Sequence, residues 1–346
     1  MRTPSSKPTL EDVAEQAGVS LATVSRVMRN IGPIRMETRK RVMAAVEATG
    51  YRIESPNPYQ QPVSTPHTIA LVITDLLNPF FPEIVCGVES EAAPNGFGLM
   101  IFNTSEDPAA EMRVFARLAS TQVAGVIVCS SRVASSNLIS FYETTRIPMV
   151  VINRRIDHAQ IPAILVDFER SMYNATRHLL SLGHTRIAYL DGLASSETSA
   201  ARRRGIEQAL RENGLTLPAE WCLNSFPNVD GGFQAMTSLL SREGRLRPTA
   251  VVAYNDLNAI GALHALRIHH IRVPDEMSVV GCDGINISAH TNPPLTTIDQ
   301  PKYRMGQLAI QIILNLIRGK KMPISSYNLM ESPLIIREST APPPAE

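Results

Sequence analysis

The chain is poor in cysteine and has no long apolar run, and each shortage excludes a class of protein. Its 346 residues include only 4 Cys, too few for the disulfide framework of a small secreted domain. No stretch approaches the roughly 18 consecutive apolar residues of a transmembrane helix, and the opening MRTPSSKPTL lacks the apolar core of a secretory signal. We therefore expect a cytoplasmic protein with reduced, mostly buried thiols, at Cys86, Cys129, Cys222 and Cys282.

The motifs of common enzymes are also missing. The sequence contains no GxSxG, no P-loop, no HExxH and no GxGxxG after a strand. His264, His269 and His270 lie at spacings that do not share a helix face, so no metal site is predicted. We expect no catalytic residues and no cofactor, and an enzyme is unsupported by the sequence.

Charge is nearly balanced over the whole chain but not along it. The formal net charge is +1, so the chain as a whole is not expected to bind polyanions. Residues 1–54 contain 9 Lys and Arg against 6 Asp and Glu, whereas the remainder contains 24 against 26. The positive excess lies at the N-terminal end, where phosphates would bind.

Residues 9–51 have the apolar spacing of three short helices. Thr9 is a good N-cap with Asp12 three residues later, Gly18 ends the first helix, and Ser20 caps the second. The predicted helices are residues 10–17, 21–28 and 36–49. Two short helices joined by a turn that contains Gly predict a helix-turn-helix, whose second helix enters the major groove of DNA.

The segment DVAEQAGVSLATVSRVM, residues 12–28, resembles the headpiece of the lactose/galactose repressor (LacI/GalR) family of bacterial transcription regulators. The resemblance implies that Leu21 and Ala22 read bases and that Arg26 binds guanine, a contact worth about 1–3 kcal/mol of discrimination. It further implies phosphate-binding hydroxyls at Thr9, Ser20, Thr23, Ser25 and Thr38. The alternative for these hydroxyls is a helix cap or a solvated side chain, and the alternative for Arg26 is a surface salt bridge.

The remainder alternates short apolar runs with amphipathic helices, which predicts an α/β fold with parallel sheets covered on both faces. The predicted strands are 69–74, 99–103, 126–129, 148–152, 187–190, 250–253 and 279–281, and the predicted helices are 83–93, 111–120, 169–182, 200–212, 231–241 and 257–269. The two sets of strands imply two similar lobes. We assign residues 1–54 to the headpiece, 55–67 to a linker, 68–165 and 298–323 to lobe 1, and 166–297 and 324–338 to lobe 2, within a body of residues 68–346.

The linker departs from the family pattern. Its four prolines, Pro56, Pro58, Pro62 and Pro66, cannot lie in a regular helix, so it is interpreted as an extended tether. In the LacI/GalR family, this region carries a short hinge helix that ends in a leucine inserted into the minor groove. Here that position falls at Gln60 or Gln61, and Tyr59 or Val63 are possible substitutes.

Most of the apolar runs end in a short polar residue: Asp75, Asn103, Ser130, Asn153, Asp191, Asn255 and Asp283. In open α/β sheets, ligands bind beyond the carboxyl ends of the strands. Two lobes that face each other there would form a cleft lined by small hydrogen-bonding groups. Such a cleft suits a polyhydroxylated ligand, whose hydroxyls both donate and accept.

Further segments resemble LacI/GalR motifs: NPFF (78–81), LGHTRIAYL (182–190), RRRG (202–205), YND (254–256), SVVGCDG (278–284) and NPPLTTIDQP (292–301). The family's body is similar to periplasmic sugar-binding proteins, with two lobes and an effector in the cleft. The resemblance implies effector-binding residues at Phe80, Phe81, Asn153, Arg202, Phe226 (or its neighbour Pro227), Asn255 and Asp283.

Each of these residues also has a structural interpretation. The two phenylalanines would also fit the core, Arg202 could lie on a solvated helix face, and Asp283 could be a turn residue. For Asp256, next to Asn255, we favour a helix cap over a role in ligand binding.

These observations predict a cytoplasmic DNA-binding transcriptional regulator, most simply a repressor, whose operator affinity is controlled by a sugar or sugar derivative in the cleft. The family resemblance implies a homodimer on a pseudo-palindromic operator, with residues 83–93 and 278–297 as the interface to examine. One alternative is a sugar-binding protein without operator function. The other is a regulator with a purine-like effector that the NPFF segment would sandwich.

The substitution Arg26→Ala tests the assignment of the recognition helix. It should abolish preference for operator DNA, because the bidentate contact to guanine is lost, while ligand binding in the cleft is unchanged. Genomic footprinting of the full-length protein and of the variant measures the first effect, and calorimetry measures the second. Sequence preference retained by the variant would show that the recognition helix lies elsewhere.

Overall fold

The computed structural model describes residues 8–29, 34–51, 67–194, 196–242, 247–320 and 327–345. The chain divides into two compact units, residues 1–64 and 65–346. The linker residues 55–66, with the positions considered for minor-groove insertion, lie outside the described residues. Among the helices of the described ranges, none is both long and apolar enough to cross a bilayer.

The first unit contains the three predicted helices: α1 (Leu10–Ala17), α2 (Leu21–Arg29) and α3 (Met36–Thr49). Thr9 and Asp12 form a capping box at α1, and Gly18 ends it in the left-handed conformation. Val13, Val24 and Val42, one from each helix, are fully buried together. The predicted helix-turn-helix is therefore confirmed.

The second unit contains eight further helices and twelve strands among the described residues. The helices are α4 (Phe80–Ala92), α5 (Pro108–Ala119), α6 (Ser135–Thr145), α7 (Phe168–Ser181), α8 (Glu197–Glu212), α9 (Val229–Leu240), α10 (Asp256–Ile268) and α11 (Lys302–Ile317). The strands are β1 (Thr68–Ile73), β2 (Gly98–Asn103), β3 (Gly125–Cys129), β4 (Met149–Ile152), β5 (Ala163–Val166), β6 (Ile187–Asp191), β7 (Cys222–Asn224), β8 (Ala250–Ala253), β9 (Ser278–Asp283), β10 (Thr296–Asp299), β11 (Tyr327–Met330) and β12 (Leu334–Ile335).

The strands form two six-stranded sheets of matching topology. Lobe 1 has the order β11-β5-β4-β3-β1-β2 and lobe 2 the order β12-β10-β9-β8-β6-β7. Every pairing is parallel except β10 with β12. In lobe 1, β1 lies between β2 and β3, and in lobe 2, β6 lies between β7 and β8. The order of the strands therefore reverses at β1 and at β6. Beyond the carboxyl ends of such strands, open α/β sheets bind ligands.

The predicted bounds of the lobes need correction at two places. Lobe 2 extends through residue 299, because β10 pairs with β9. Strand β11 belongs to lobe 1, because it pairs with β5. The predicted set of elements also lacked α6, α11 and several short strands. The edge strands β7, β11 and β12 have 3, 4 and 2 residues, too few for a clear periodic signal.

All four cysteines are free, as expected. Cys129 and Cys282 are buried, and burial raises the pKa of each thiol to about 12. Cys86 is exposed and Cys222 is half-buried, so two of the four thiols are buried, rather than most of them as expected.

Glycines allow the helices that flank lobe 1 to approach each other closely. A Cβ atom on Gly87 of α4 would lie 2.1 Å from the carbonyl oxygen of Tyr303 in α11, and one on Gly306 would lie 2.2 Å from that of Ile84. Neither backbone can yield without shifting a helix. This contact fixes α4, whose first turn carries Phe80, against the lobe 1 sheet.

We predict that Gly87→Ala destabilises the protein by about 1–3 kcal/mol, because the added methyl overpacks a backbone contact. Gly98→Ala is the matched control, since a Cβ there would meet no heavy atom nearer than the His67 carbonyl oxygen at 4.0 Å. Thermal unfolding followed by circular dichroism measures both. Equal melting temperatures for the two variants would contradict the close approach of α4 and α11.

Candidate functional site

A small cavity lies between the lobes, at the carboxyl ends of both sheets. Its lining residues are Asn78, Phe80, Phe81, Glu106, Ser130, Arg132, Phe168, Thr198, Arg202, Pro227, Tyr254, Asn255, Asp283 and Gln300. Its volume is about 30 Å³, and a larger cavity of about 250 Å³, which shares Ser130, Arg132 and Thr198 with it, forms its mouth. The innermost part of the cleft is therefore narrow, and the cleft widens toward its mouth.

Lobe 2 contributes one arginine–carboxylate pair to the cavity. Arg202, on α8, is 3% exposed, and its Nη2 lies 3.6 Å from Asp283 Oδ1. The guanidinium is stacked between the rings of Phe168 and Tyr254, at 4.0 and 4.2 Å from their centroids. Its Nε is buried without a hydrogen-bond partner. Stacking leaves only the edge of the guanidinium free to bind an oxygen atom.

Lobe 1 contributes a second pair. Arg132 donates from Nε to Glu106 Oε2, and both side chains are more than nine-tenths buried. Buried Glu111 fixes the backbone beneath this pair, since it accepts from the Arg132 N–H at 2.7 Å and from the Ser131 hydroxyl. Glu106 is fixed as well, because its own N–H donates to the Thr74 carbonyl oxygen.

The backbone around the cavity is strained at several strand ends. Seven non-glycine residues of the described ranges have positive φ angles. Glu106 (62°), Ser130 (56°) and Asp283 (136°) line the cavity, and Asn153 (59°) lines its mouth. Such conformations cost on the order of 1–3 kcal/mol each and concentrate at functional sites. The strain is therefore independent support for a site here.

Most of the effector-binding residues predicted from the sequence are brought together. Phe80 and Phe81 are buried in the core and line the cavity at the same time, so their two interpretations are compatible. Arg202 and Asp283 are also buried there. Asn255 lines the cavity and caps α10, since its Oδ1 accepts from the Asn258 N–H at 2.8 Å.

Other predicted positions differ from the expectation. Asn153 lies at the mouth, where its Nδ2 donates to Gln300 Oε1 and its Oδ1 is buried without a partner. Phe226 is 46% exposed and does not line the cavity, whereas the adjacent Pro227 does. Asp256 is not the helix cap that we favoured. It is buried, and its carboxylate accepts from the Thr297 hydroxyl and the Ile285 N–H.

Two contacts join the lobes at the mouth of the cavity. Arg132 Nη1 of lobe 1 donates to Ser196 Oγ of lobe 2 at 3.2 Å. Arg154 Nη2 of lobe 1 lies 3.1 Å from Glu197 Oε1 of lobe 2. Ser196 is the N-cap of α8, the helix that carries Arg202. The mouth and the lobe 2 pair are thus connected through one helix.

In the first unit, the exposed face of α2 carries apolar and basic side chains that suit the predicted contact with DNA. On α2, Leu21, Ala22 and Arg26 are exposed, whereas Val24 and Val27 are buried. Ser20 Oγ accepts from the Thr23 N–H and so caps the helix, and the Thr23 hydroxyl bonds the Ser20 hydroxyl. A capping hydroxyl at the start of α2 can still bind a phosphate, so the two interpretations do not compete. Ser25 and Thr38 are partly exposed.

Glu106 and Arg132 were missed by the motif comparison, as were Thr198 and Phe168. Each member of the pair lies three residues after a predicted strand end, at Asn103 and Cys129 respectively. The rule that sites lie beyond strand ends could have found them if it had been extended beyond the first polar residue.

The comparisons with known proteins agree with the fold. A family model described as bacterial regulatory proteins, lacI family, matches residues 9–54, and one for a periplasmic binding protein-like domain matches residues 176–340. The HTH-type transcriptional repressor PurR of Aliivibrio fischeri (strain ES114) is 35% identical over 314 residues, which are 90% of this chain and 92% of that protein.

Two solved structures resemble the whole chain. A complex of the transcriptional regulator CelR with cellobiose has a TM-score of 0.72 at 29% identity, and the match covers 96% of this chain and 99% of that one. The Lac repressor dimer bound to operator and the anti-inducer ONPF has a TM-score of 0.73 at 29% identity, covering 97% and 100%.

Burial raises the pKa of two carboxyl groups of lobe 2. Burial raises the pKa of Asp283 to about 7, although the charge of Arg202 opposes the rise. Burial likewise raises the pKa of Asp256 to about 6, against the hydrogen bond from Thr297. For Tyr254, burial acts to raise the pKa, but the charges of Arg202 and Arg132 outweigh it and lower the pKa below its usual value.

The pKa of Asp283 has a consequence for stability. Because it lies above the ordinary value of 3.8, the carboxyl contributes stability at low pH that is lost as the pH rises through about 7. The loss is about 1.4 kcal/mol per pH unit between the ordinary pKa and the folded-state pKa, and it ends above the folded-state pKa. Compared with Asp283→Asn, which cannot ionise, the wild type should therefore lose about 3 kcal/mol between pH 5 and pH 8.

Urea unfolding followed by the fluorescence of Trp221, the single Trp of the chain, measures this difference at each pH. Parallel curves of unfolding free energy for the wild type and Asp283→Asn would contradict the raised pKa.

Proposed function

Because this chain belongs to the lacI family of bacterial regulatory proteins, we propose that it is a transcriptional repressor whose operator affinity is controlled by a sugar or sugar derivative bound between the lobes. The observation that carries this proposal is the cavity. It is lined from both lobes by buried charged and amide groups, and Arg202 Nε, together with Asn153 Oδ1 at the mouth, has no hydrogen-bond partner. Buried polar groups of this kind are normally satisfied, so a ligand with hydroxyl groups would complete them.

Control of operator affinity would follow from the size of the cavity. A monosaccharide has about a dozen non-hydrogen atoms, too many for the inner cavity of about 30 Å³ alone, so it would also occupy the cavity of about 250 Å³ at the mouth. Its full insertion between the two charged pairs would require the lobes to move apart or the mouth contacts of Arg132 and Arg154 to rearrange. A ligand that favours one arrangement of the lobes over another shifts the population between them. Such a shift would change how a pair of headpieces is presented to DNA.

In this proposal, α2 reads the operator, with Arg26 on guanine and with Leu21 and Ala22 in apolar contact with neighbouring bases. Phosphate contacts from the hydroxyls at Thr9, Ser20, Thr23, Ser25 and Thr38 would fix its register. The exposed face of α2 supports this assignment.

A homodimer would place two such helices on the two halves of an operator. The Lac repressor structure that resembles this chain is a dimer on operator DNA. Exposed apolar side chains support the interface predicted near residues 83–93 and 278–297. Leu77, just before α4, is 88% exposed, and Ile287 is 49% exposed.

A purine-like effector is the second candidate, and the 35% identity to the repressor named PurR favours testing it. Sugar is preferred because four charged side chains line the cavity, and these suit hydroxyl groups. The complex of CelR with cellobiose, at 29% identity, points the same way. A solute-binding protein without operator function is disfavoured by the helix-turn-helix. A gel-shift assay of the full chain with selected operator DNA separates that possibility from a repressor.

We predict that a saturating effector changes the operator affinity of the full-length protein by about 5-fold to 150-fold, the usual range of allosteric coupling. Arg202→Lys should weaken effector binding at least tenfold, because lysine loses both the stacking and the planar fork. It should leave the operator preference of the free protein intact. Arg204→Lys is the control, since Arg204 lies on the same helix but pairs with Glu169 at the surface.

Calorimetry with monosaccharides and nucleobases identifies the effector, and fluorescence anisotropy of labelled operator gives the coupling. An effector that binds tightly and leaves operator affinity unchanged at saturation would rule out allosteric control.

A further inference from the structure

The cavity contains two ionic pairs, one from each lobe, and the family motifs account for only one of them. Arg202 and Asp283 of lobe 2 lie in motif segments. Glu106 and Arg132 of lobe 1 do not, yet they are as deeply buried and line the same cavity.

We propose that Glu106 and Arg132 are a second ligand-binding pair, which binds hydroxyl groups on the edge of the effector opposite to the edge bound by Arg202 and Asp283. This inference rests on the proposed function, because it requires a ligand in the cleft. It adds a charged pair from lobe 1 to the phenylalanines and Asn153 that this lobe already contributes.

The hydrogen bonds of the lobe 1 pair leave capacity for a ligand. Arg132 uses Nε for Glu106 and Nη1 for Ser196 and also bonds the Tyr254 side chain, which leaves part of the five N–H donors of its guanidinium. Glu106 Oε2 accepts from Arg132, while its Oε1 makes no hydrogen bond to any described residue and is not among the fully buried atoms. A donor and an acceptor thus lie side by side at the cavity wall. A hydroxyl group, which donates and accepts, satisfies both.

The lobe 2 pair has the same chemistry. Asp283 Oδ1 accepts from Gln300 Nε2 at 2.7 Å, Oδ2 makes no hydrogen bond within the described ranges, and Arg202 Nε is unpartnered. Tyr254 lies between the pairs. Its ring stacks on Arg202, and its hydroxyl bonds Thr198 at 3.2 Å on the side of Ser196, to which Arg132 is bound.

Two such pairs on opposite walls define the class of ligand. A ring with hydroxyl groups on both edges engages each pair, while its faces meet Phe80 and Phe81. A nucleobase would instead offer ring N–H donors and carbonyl or ring-nitrogen acceptors, all fixed in the plane of the ring, so the response to removing single hydroxyl groups is specific to a sugar. The pairs balance in formal charge, so an uncharged polyol is preferred over a strongly anionic one. The positive φ of Glu106 shows that the fold maintains this side chain in place at a conformational cost.

The test uses the full-length protein and calorimetry. The probes are D-ribose, D-glucose, D-galactose and D-fructose, with hypoxanthine and guanine as nucleobases. For the monosaccharide that binds most tightly, each singly deoxygenated analogue is titrated as well. Glu106→Gln keeps the shape of the side chain and removes its charge. Glu106→Gln alone leaves Arg132 as an unpaired buried charge, which could prevent folding. The double variant Glu106→Gln with Arg132→Gln removes both charges, so the test does not depend on the single variant.

We expect the wild type to lose about tenfold to hundredfold in affinity when a hydroxyl group bound by either pair is missing. In Glu106→Gln, removal of the hydroxyl group bound by the lobe 1 pair should cost almost no affinity, while removal of the hydroxyl group bound by the lobe 2 pair should cost as much as in the wild type. In Asp283→Asn, the two losses of affinity should be exchanged. Glu143→Gln is the matched control, because Glu143 pairs with Arg146 at the surface of lobe 1 and should change no penalty.

Equal penalties in the wild type and in both Glu106 variants would overturn the assignment, as would binding of none of the monosaccharides. If a nucleobase binds instead and changes operator affinity, effector control stands and the ionic-pair assignment fails. If a monosaccharide shows the expected pattern but operator affinity does not respond, the assignment stands and the proposed allosteric function fails.

Discussion

Two guanidinium groups are buried between the lobes, and their neutralisation constrains much of the body. Removing an ion from water costs several kcal/mol unless it is paired and hydrogen-bonded. Arg202 is accommodated by two aromatic rings and by Asp283, and Arg132 by Glu106. Each carboxylate sits at a strand end in a strained backbone conformation. The loops that carry Asp283 and Glu106 must therefore keep their positions, because a shift of either loop would leave its arginine unpaired.

That positioning comes from the sheets and from the helices packed on them. The two lobes repeat one topology, and residues that follow β1, β3, β6 and β8 line one cavity between them. Glycines let α4 and α11 touch backbone to backbone, which leaves little freedom for the first turn of α4 and its phenylalanines. Buried Glu111 and Asp256 hold the loops on each side through their hydrogen bonds. The charged groups of the cleft are thus held by packed elements, and contacts of Arg132 and Arg154 with Ser196 and Glu197 of lobe 2 bridge its mouth.

A cleft lined by groups with spare hydrogen-bonding capacity suits a regulator. One of the two mouth contacts, the ion pair of Arg154 with Glu197, involves a side chain that is 59% exposed, and ion pairs of that kind contribute little free energy. A ligand that satisfies the buried groups can outweigh such a contact. The energy available for changing the lobe arrangement then equals the difference in ligand affinity between the two arrangements.

The sequence by itself determined the helix-turn-helix, the two α/β lobes and most of the residues of the cleft. These follow from local signals: the capping pair Thr9 and Asp12, the left-handed turn at Gly18, and apolar runs that end in polar residues. Motif resemblance then placed Arg202 and Asp283, which periodicity alone would not have distinguished from surface residues. Among three consecutive arginines, only the turn of α8 puts Arg202 inside and leaves Arg203 and Arg204 to pair with surface glutamates.

Only the tertiary structure decided which polar strand ends meet. Asp191 and Asp256 resemble Asp283 in sequence context, yet their carboxylates already accept hydrogen bonds from neighbouring hydroxyl and N–H groups. Asn255 rather than Asp256 caps α10, and Pro227 rather than Phe226 reaches the cavity. The pairing of Glu106 with Arg132 joins residues 26 positions apart on two loops that are brought together by the order of β2, β1 and β3. Sequence spacing carries no such information, because long-range contacts depend on how strands are arranged in a sheet and not on where they lie along the chain.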